Sequence, residues 1–313
     1  MHSITNDKPD SLHAEWMLSN HCNYQCSYCS PTLYSTTSGW PDVDTALDFW
    51  KSVHNEVNAN KKMITLTGGE PTLWPKLFYF LENLETSYEV GIVSNGSRSL
   101  RWWEKLESIK RVKQLTISIH LEYVDVEHIA SVVNVVSKSI GTTVLIVMNP
   151  NKLNESREFA EKLRDKNLTC KIVLKAVTLR HTANGETYPY DQDTIDFISN
   201  WHYHKKNTNT TPTDVSYNLL VDGEQFPASY AHALISTSRN CFKGWKCNII
   251  KNRLVVKING DVFGAQCKTS REYKLGNIND GYLDPKNIPV LPVTCIDDRC
   301  QCVPDLKIPK EKI

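Results

Sequence analysis

His21-Cys22-Asn23-Tyr24-Gln25-Cys26-Ser27-Tyr28-Cys29 is a Cys-x3-Cys-x2-Cys run that follows a short apolar segment, Trp16-Met17-Leu18. Three thiolates on one tight loop suit three irons of a cubane [4Fe–4S] cluster. The fourth iron is then left to something that is not protein, whereas an electron-transfer cluster takes four cysteines. A structural zinc loop draws on the same residue types. Zinc sites, however, pair two Cys-x2-Cys or Cys/His hooks, and Cys22 would be superfluous in one. The spacing therefore points to an open cluster whose free iron meets a substrate or cofactor.

About forty residues on, the apolar run Met63-Ile64-Thr65-Leu66-Thr67 leads into Gly68-Gly69-Glu70-Pro71. Together with Tyr28, the aromatic residue just before the third cysteine, this arrangement resembles the radical S-adenosylmethionine (SAM) superfamily across roughly residues 12–200. The resemblance implies that the free iron chelates the amino and carboxylate groups of SAM. It also implies reductive cleavage of SAM to methionine and a 5′-deoxyadenosyl radical, which abstracts a substrate hydrogen.

The chain has 313 residues, 40% hydrophobic and 23% charged, with a net charge of +1. That composition suits one large globular domain plus a small one. It leaves no electrostatic footprint for nucleic acid or membrane. No apolar run reaches membrane-spanning length, and residues 1–13 lack the apolar core of a signal peptide. In a chain of this kind clustered cysteines bind metal more often than they pair, so a reducing, cytoplasmic compartment is expected.

From residue 14 to 205 the pattern alternates strand and helix, with strands expected at 14–19, 63–67, 89–94, 114–119, 142–148 and 171–177. Helical spacing recurs in Val43/Leu47/Trp50/Val53/Val57, Leu73/Leu77/Phe80/Leu84, Trp102/Leu106/Ile109, Ile129/Val132/Val133/Val136/Ile140 and Phe159/Leu163. A last helix, 193–204, carries Ile195, Phe197, Ile198 and Trp201, and Asp42 or Asp44 is a candidate cap for the first. Six β-α units with apolar strands predict an α/β fold with a parallel sheet. The family resemblance makes this a partial (β/α)6 TIM-like barrel, with chemistry at the C-terminal ends of the strands.

By the same resemblance Gly68, Gly69, Glu70 and Pro71 meet the SAM amino group, and Tyr28 packs near the adenine. Ser94, Asn95 and Ser118 stand at strand ends where small polar groups would reach the ribose or carboxylate, although turn chemistry after a strand explains the same residues. His120, Glu122, Lys175 and Arg180 fall at or just beyond strand ends, as substrate-binding groups or as solvated loop residues. Tyr24 and Gln25 read as local packing, and Trp102-Trp103 as surface and core of a helix.

Residues 1–13 read as an N-terminal tail, and 206–240, with the polar run Asn207–Thr213, as a linking region ending in a strand over 215–221. Residues 241–313 carry six more cysteines: Cys241, Cys247, Cys267, Cys295, Cys300 and Cys302. Between Cys247 and Cys267, two apolar stretches flank Asn259-Gly260, a β-hairpin signature that brings the flanking cysteines together. The set resembles the auxiliary-cluster domain of radical SAM enzymes, in its short "twitch" form or a reduced SPASM form. It has too few cysteines for two clusters, so one auxiliary [4Fe–4S] cluster is expected in a small C-terminal hairpin-containing iron–sulfur domain. Cys247 and Cys267 form the firmest pair; two of Cys295, Cys300 and Cys302 complete the four, and a zinc site from the same ligands stays open. Cys241 reads as a bystander and Cys170 as a small buried hydrophobe.

An auxiliary cluster is an electron sink or a substrate ligand, so the resemblance favours net oxidation, by dehydrogenation or crosslinking, of a peptide or small metabolite. Relatives of this build include anaerobic sulfatase-maturating enzymes, a dehydrogenase of aminoglycoside biosynthesis and maturases of ribosomally made peptides. Only about a dozen residues precede the first expected strand, so no fused leader-binding domain is expected ahead of it. A radical SAM enzyme acting on a nucleotide or nucleoside, and a non-catalytic iron–sulfur or zinc scaffold or sensor, are the alternatives. The intact Gly-Gly-Glu-Pro argues against a scaffold, and the neutral charge against RNA. The resemblance also implies a flavodoxin- or ferredoxin-type electron donor.

Overall fold

All six expected strands form, each followed in chain order by a helix. The computed structural model describes residues 1–6, 10–29, 34–177, 188–203, 218–226, 231, 234–235, 239–250, 252–289, 291–300 and 302–313. Its elements are β1 (Ser3–Asn6), β2 (Ser11–Met17), α1 (Val43–Glu56), β3 (Lys61–Thr67), α2 (Leu77–Asn83), β4 (Tyr88–Ser94) and α3 (Leu100–Glu107). There follow β5 (Val112–Ile119), α4 (Val126–Val136), β6 (Gly141–Met148), α5 (Leu153–Asp165), β7 (Lys171–Ala176), α6 (Gln192–Tyr203), β8 (Leu219–Val221) and β9 (Glu224–Phe226). The chain then forms β10 (Lys246–Cys247), β11 (Arg253–Val256), β12 (Asp261–Phe263), α7 (Lys268–Arg271), β13 (Lys274–Asn277), β14 (Val293–Thr294), α8 (Val303–Leu306) and β15 (Lys310–Glu311).

Strands β2 to β7 pair in parallel and in chain order. Their side chains alternate between buried and half-buried. The buried set faces the helices, where Trp16 meets Trp50, Trp74 and Phe80 with ring centroids 5.8, 5.6 and 5.4 Å away. The other set, including Glu15, Thr65, Thr67, Thr116, Ser118 and Thr143, is polar and half-buried, so one face of this parallel sheet is a hollow rather than a core. Asp42 caps α1 by accepting from the Thr45 amide at 2.9 Å. Ile195, expected on the apolar face of α6, is instead 43% exposed, while Trp201 takes the buried position.

The hairpin forms where Asn259-Gly260 predicts it, with Gly260 at φ +86 and β11 antiparallel to β12. It does not stand apart from the barrel. β11 runs parallel to β2, Val255 opposite Glu15, so β11, β12 and β13 continue the barrel sheet to nine strands. A hairpin signature fixes only its own turn, and its outer partner lies more than two hundred residues away.

The N-terminal stretch is likewise more than a tail. Ile4 of β1 is fully buried, β1 pairs with β8 and β15, and β2 begins at Ser11 rather than 14. Short polar strands of this kind are set by their partners, not by a pattern of their own. A second sheet results, in the order β14-β10-β15-β1-β8-β9, over a small core of Ile4, Leu219, Phe242, Trp245 and Leu306. The strand expected over 215–221 forms at Leu219–Val221; residues 215–217, the run Asn207–Thr213 and Arg180 lie outside the described residues.

Candidate functional site

The three cysteines of the first motif lie on the loop that leaves β2, at the C-terminal end of the barrel strands. Cys26 is 4% exposed, and Cys22 and Cys29 are half-buried. The Cys29 amide donates to the Cys26 carbonyl at 2.9 Å, a tight turn that keeps the two cysteines close. Burial, then Glu122 and the other two thiols, pushes Cys26 up to about 12. The three sulfurs are thus close enough to oppose one another's ionisation, and bound iron relieves that opposition. Three soft donors on one half-open turn fit a cubane with one free iron.

Gly68 and Gly69 hold this loop from beneath. The Gly69 amide donates to the Ser19 carbonyl at 2.8 Å and the Glu70 amide to His21 at 2.7 Å. Gly68 sits at φ +121, and a Cβ there would stand 2.5 Å from the Ser19 oxygen; one on Gly69 would overlap the His21 carbonyl. The glycines therefore admit the cysteine loop's own backbone, a close approach the motif alone does not reveal.

Glu70 is 1% exposed and caps the short turn that Pro71 opens. Its Oε1 accepts from the Thr72 amide, the Thr72 hydroxyl and the Ser94 hydroxyl at 3.0, 2.6 and 2.9 Å, and its Oε2 from the Asn95 amide at 2.7 Å. Burial pushes its carboxyl up and these donors pull it back. Glu70 thus ties the end of β3 to the end of β4, and most of its acceptor capacity is used within the protein. Asn95 extends the tie by donating to Asn23 in the cysteine loop at 2.9 Å. Ser118 faces the hollow at the end of β5, between the buried Ile117 and Ile119.

The loop after β5 grips the cysteine loop from the other side. The Ser27 hydroxyl donates to Glu122 at 2.7 Å and its amide reaches both carboxylate oxygens. Tyr28 Oη lies 2.6 Å from His120 Nδ1, with the two rings parallel at 5.9 Å. Tyr24 stacks on Tyr123 at 4.5 Å, and the Tyr123 hydroxyl contacts both the amide and the carbonyl of Gln25. His120 and Glu122, read from sequence as substrate-binding groups or solvated loop residues, make these contacts with the motif. Lys175 is exposed on β7, far along the sheet. Ser27, Asn23 and Tyr123 carried no signal of their own beyond nearness to the motif or to a strand end.

The second cysteine set gathers where the two sheets meet. Cys247, Cys267, Cys295 and Cys300 line one small cavity with Asp305 and Lys310. Pairing of β10 with β14 and β15 brings Cys247 beside the segment that carries Cys295, whose amide donates to the Trp245 carbonyl at 2.8 Å. The hairpin returns Cys267 to the same wall. Burial pushes Cys267 up to about 12 and Cys300 well up. Four thiols around one cavity suit a fully ligated cubane, in which each thiolate binds a different iron. Cys302 is not part of the cavity wall. It caps α8, and its thiol lies among Asp305, Arg253 and Glu15; burial, then Asp305, pushes it up to about 12. Cys241 is exposed and Cys170 buried.

A buried ionic chain links the two regions. Arg253 on β11 is 5% exposed, contacts Glu15 on β2, and places its Nε 3.5 Å from Asp305. Among the described residues no helix is long and apolar enough to cross a membrane.

A family model, the Radical SAM superfamily, matches residues 16–197. The S-adenosylmethionine-dependent nucleotide dehydratase of Thermoplasmatales archaeon (strain ISO4-H5) is 27% identical over 180 residues, 51% of this chain and 60% of that protein. The GTP 3′,8-cyclase of Stenotrophomonas maltophilia (strain R551-3) is 24% identical over 189 residues, 55% of this chain and 56% of the relative. The chain thus spans less than two thirds of the length of these curated relatives. Native anSMEcpe with bound AdoMet and the Kp18Cys peptide superposes with a TM-score of 0.56 at 18% identity, covering 86% of this chain and 78% of that one, a likeness of fold.

Proposed function

Because the chain belongs to the radical SAM superfamily, we propose that it is a radical SAM oxidoreductase with two [4Fe–4S] sites, acting on a peptide or small metabolite. When bound at Cys22, Cys26 and Cys29, a cluster and SAM supply reductive cleavage of SAM and a 5′-deoxyadenosyl radical that takes a hydrogen atom from substrate. The protein's work is placement. Gly68, Gly69, Glu122 and Tyr123 fix the cysteine loop over the hollow. Tyr28 and Ser118 stand on the side where SAM and substrate would lie, with the buried Ser94 and Asn95 holding Glu70 behind them. A flavodoxin- or ferredoxin-type donor would supply the electron that SAM cleavage consumes.

The observation that carries the oxidative reading is the cavity lined by Cys247, Cys267, Cys295 and Cys300. Four thiolates would saturate a cubane, leaving no iron for substrate, so this cluster would act as an electron acceptor. A substrate radical that surrenders one electron there ends as a carbonyl, a double bond or a crosslink. The test is iron content and EPR of anaerobically reconstituted protein in which Cys22, Cys26 and Cys29 are all Ala. We expect about four irons in that protein and about eight in wild type, with only the wild-type signal perturbed by SAM. Adding Cys247→Ala, Cys267→Ala and Cys300→Ala together should empty the second site, whereas Cys302→Ala should not. Zinc in place of iron there would overturn the oxidative reading.

A nucleotide substrate is the second reading. It is favoured by the names of the curated relatives, a nucleotide dehydratase and GTP 3′,8-cyclases. Nucleoside triphosphates that accelerate SAM cleavage, where peptides do not, would select it.

A further inference from the structure

We propose that Lys310 is the cation that sets the reduction potential of the cluster held by Cys247, Cys267, Cys295 and Cys300, an inference that rests on the two-cluster reading above. Lys310 is 4% exposed, an unusual place for an ammonium, and its side chain lines the cysteine cavity. It lies on β15 directly opposite Cys247 on β10. Residues so paired carry their side chains on one face of the sheet, about 4.5–5.5 Å apart at Cβ.

The partners of this ammonium are neutral. Nζ donates to the carbonyls of Asp305 and Leu306 at 2.9 and 2.8 Å, and it stands 5.0 Å from the centre of the Phe242 ring. These two carbonyls take two of the three N–H donors of the ammonium. The Asp305 carboxylate shares the cavity wall and feels the Lys310 charge, but its oxygens are held by the Arg253 Nε at 3.5 Å and by the Gln266 amide at 2.8 Å. A buried ammonium hydrogen-bonded only to carbonyls is costly unless anions stand near it. The thiolates of the four cysteines on the same cavity wall would be such anions once a cluster is bound. A cluster bound here carries net negative charge, and reduction adds to it. A fixed cation on the wall of the cavity stabilises the reduced form and so raises the potential. That is the property an electron acceptor for a substrate radical requires.

The experiment is an EPR-monitored redox titration of the protein with Cys22, Cys26 and Cys29 changed to Ala, which isolates the second cluster. Lys310→Gln should shift the oxidised-to-reduced equilibrium about tenfold towards the oxidised form, about 59 mV for a one-electron couple. Lys310→Arg, which keeps the charge, should stay near the parent value. Four irons with an unmoved potential in Lys310→Gln would overturn the role of Lys310 and leave the two-cluster reading standing. No iron in the parent protein would overturn both. Should Lys310→Gln fail to hold iron, ENDOR on the parent labelled with 15N at the lysine Nζ decides. Coupling of that nitrogen to the reduced cluster is expected, and its absence would overturn the proposal.

Discussion

Glu122 closes both carboxylate oxygens on the Ser27 amide, at 3.1 and 3.0 Å, from a position 95 residues further along the chain. The strap joins the end of β5 to the middle of the cysteine motif. Glu122→Gln removes the charge and one acceptor from it. The pair is partly exposed, so global stability should fall by only about 1 kcal/mol. The local effect is larger: anaerobic transfer of iron from the first site to a chelator should become faster than in wild type. An unchanged rate would show that the strap does not restrain the loop.

Glu70 is the more buried of the two carboxylates. Glu70→Gln sets an amide NH2 against a donor that it cannot satisfy, which costs about 1–3 kcal/mol. Ser94→Ala removes one of four hydrogen bonds and should cost less. Denaturant midpoints of the two variants, compared with wild type, should fall in that order.

Gly69→Ala forces a methyl group into the His21 carbonyl, where no flexible side chain can yield. The cysteine loop must lift. The expected result is loss of about four irons with the second site intact. Retention of all the iron would mean that the two backbones separate easily.

His120 provides a pH dependence. Burial holds its imidazole below the usual histidine value, and Glu122 offsets part of that. The unfolded chain then takes up a proton before the folded one does. Stability should fall as the pH drops through about 6.5 towards the lower folded value, and this contribution levels off below that value. Melting temperatures at pH 7 and pH 5 should differ more for wild type than for His120→Gln. Equal differences would remove His120 from the account.

Arg253 spans the joint between β2 and the C-terminal helix α8. Arg253→Met strands Asp305, 2% exposed, without its cation, and should cost roughly 3–5 kcal/mol. Glu15→Gln leaves that pair in place and should cost less, so thermal unfolding separates the two roles.

Strands β3 to β7 were legible in the sequence because each carries a β-branched run, β2 because a short apolar run precedes the cysteine motif, and the Asn259-Gly260 hairpin because its turn is written in two residues. Contacts over long sequence separations were not. Nothing near Ser3–Asn6 announces a strand, since its hydrogen bonds go to β8 and β15. The grip of Glu122 and Tyr123 on the motif crosses 95 and 98 residues. The glycines of Gly-Gly-Glu-Pro signalled a close approach, but not that the approaching backbone is the cysteine loop itself. Cys300 and Cys302 are inseparable by spacing. In the structure Cys300 lines the cavity, and Cys302 stands at the N-cap of α8.

The parallel pairing of β2 with β11 has a consequence for how the protein is made. Ser11 and Asn252 meet across 241 residues. At about 5–20 residues per second, a ribosome needs roughly ten to fifty seconds to deliver the second partner after the first. Until then the strand that carries the first cysteine motif keeps a bare edge, open to pairing with a neighbouring nascent chain. Slowing translation between residues 100 and 250, or raising expression, should therefore increase misassembly, and a chaperone that shields that edge should improve the yield of iron-loaded protein.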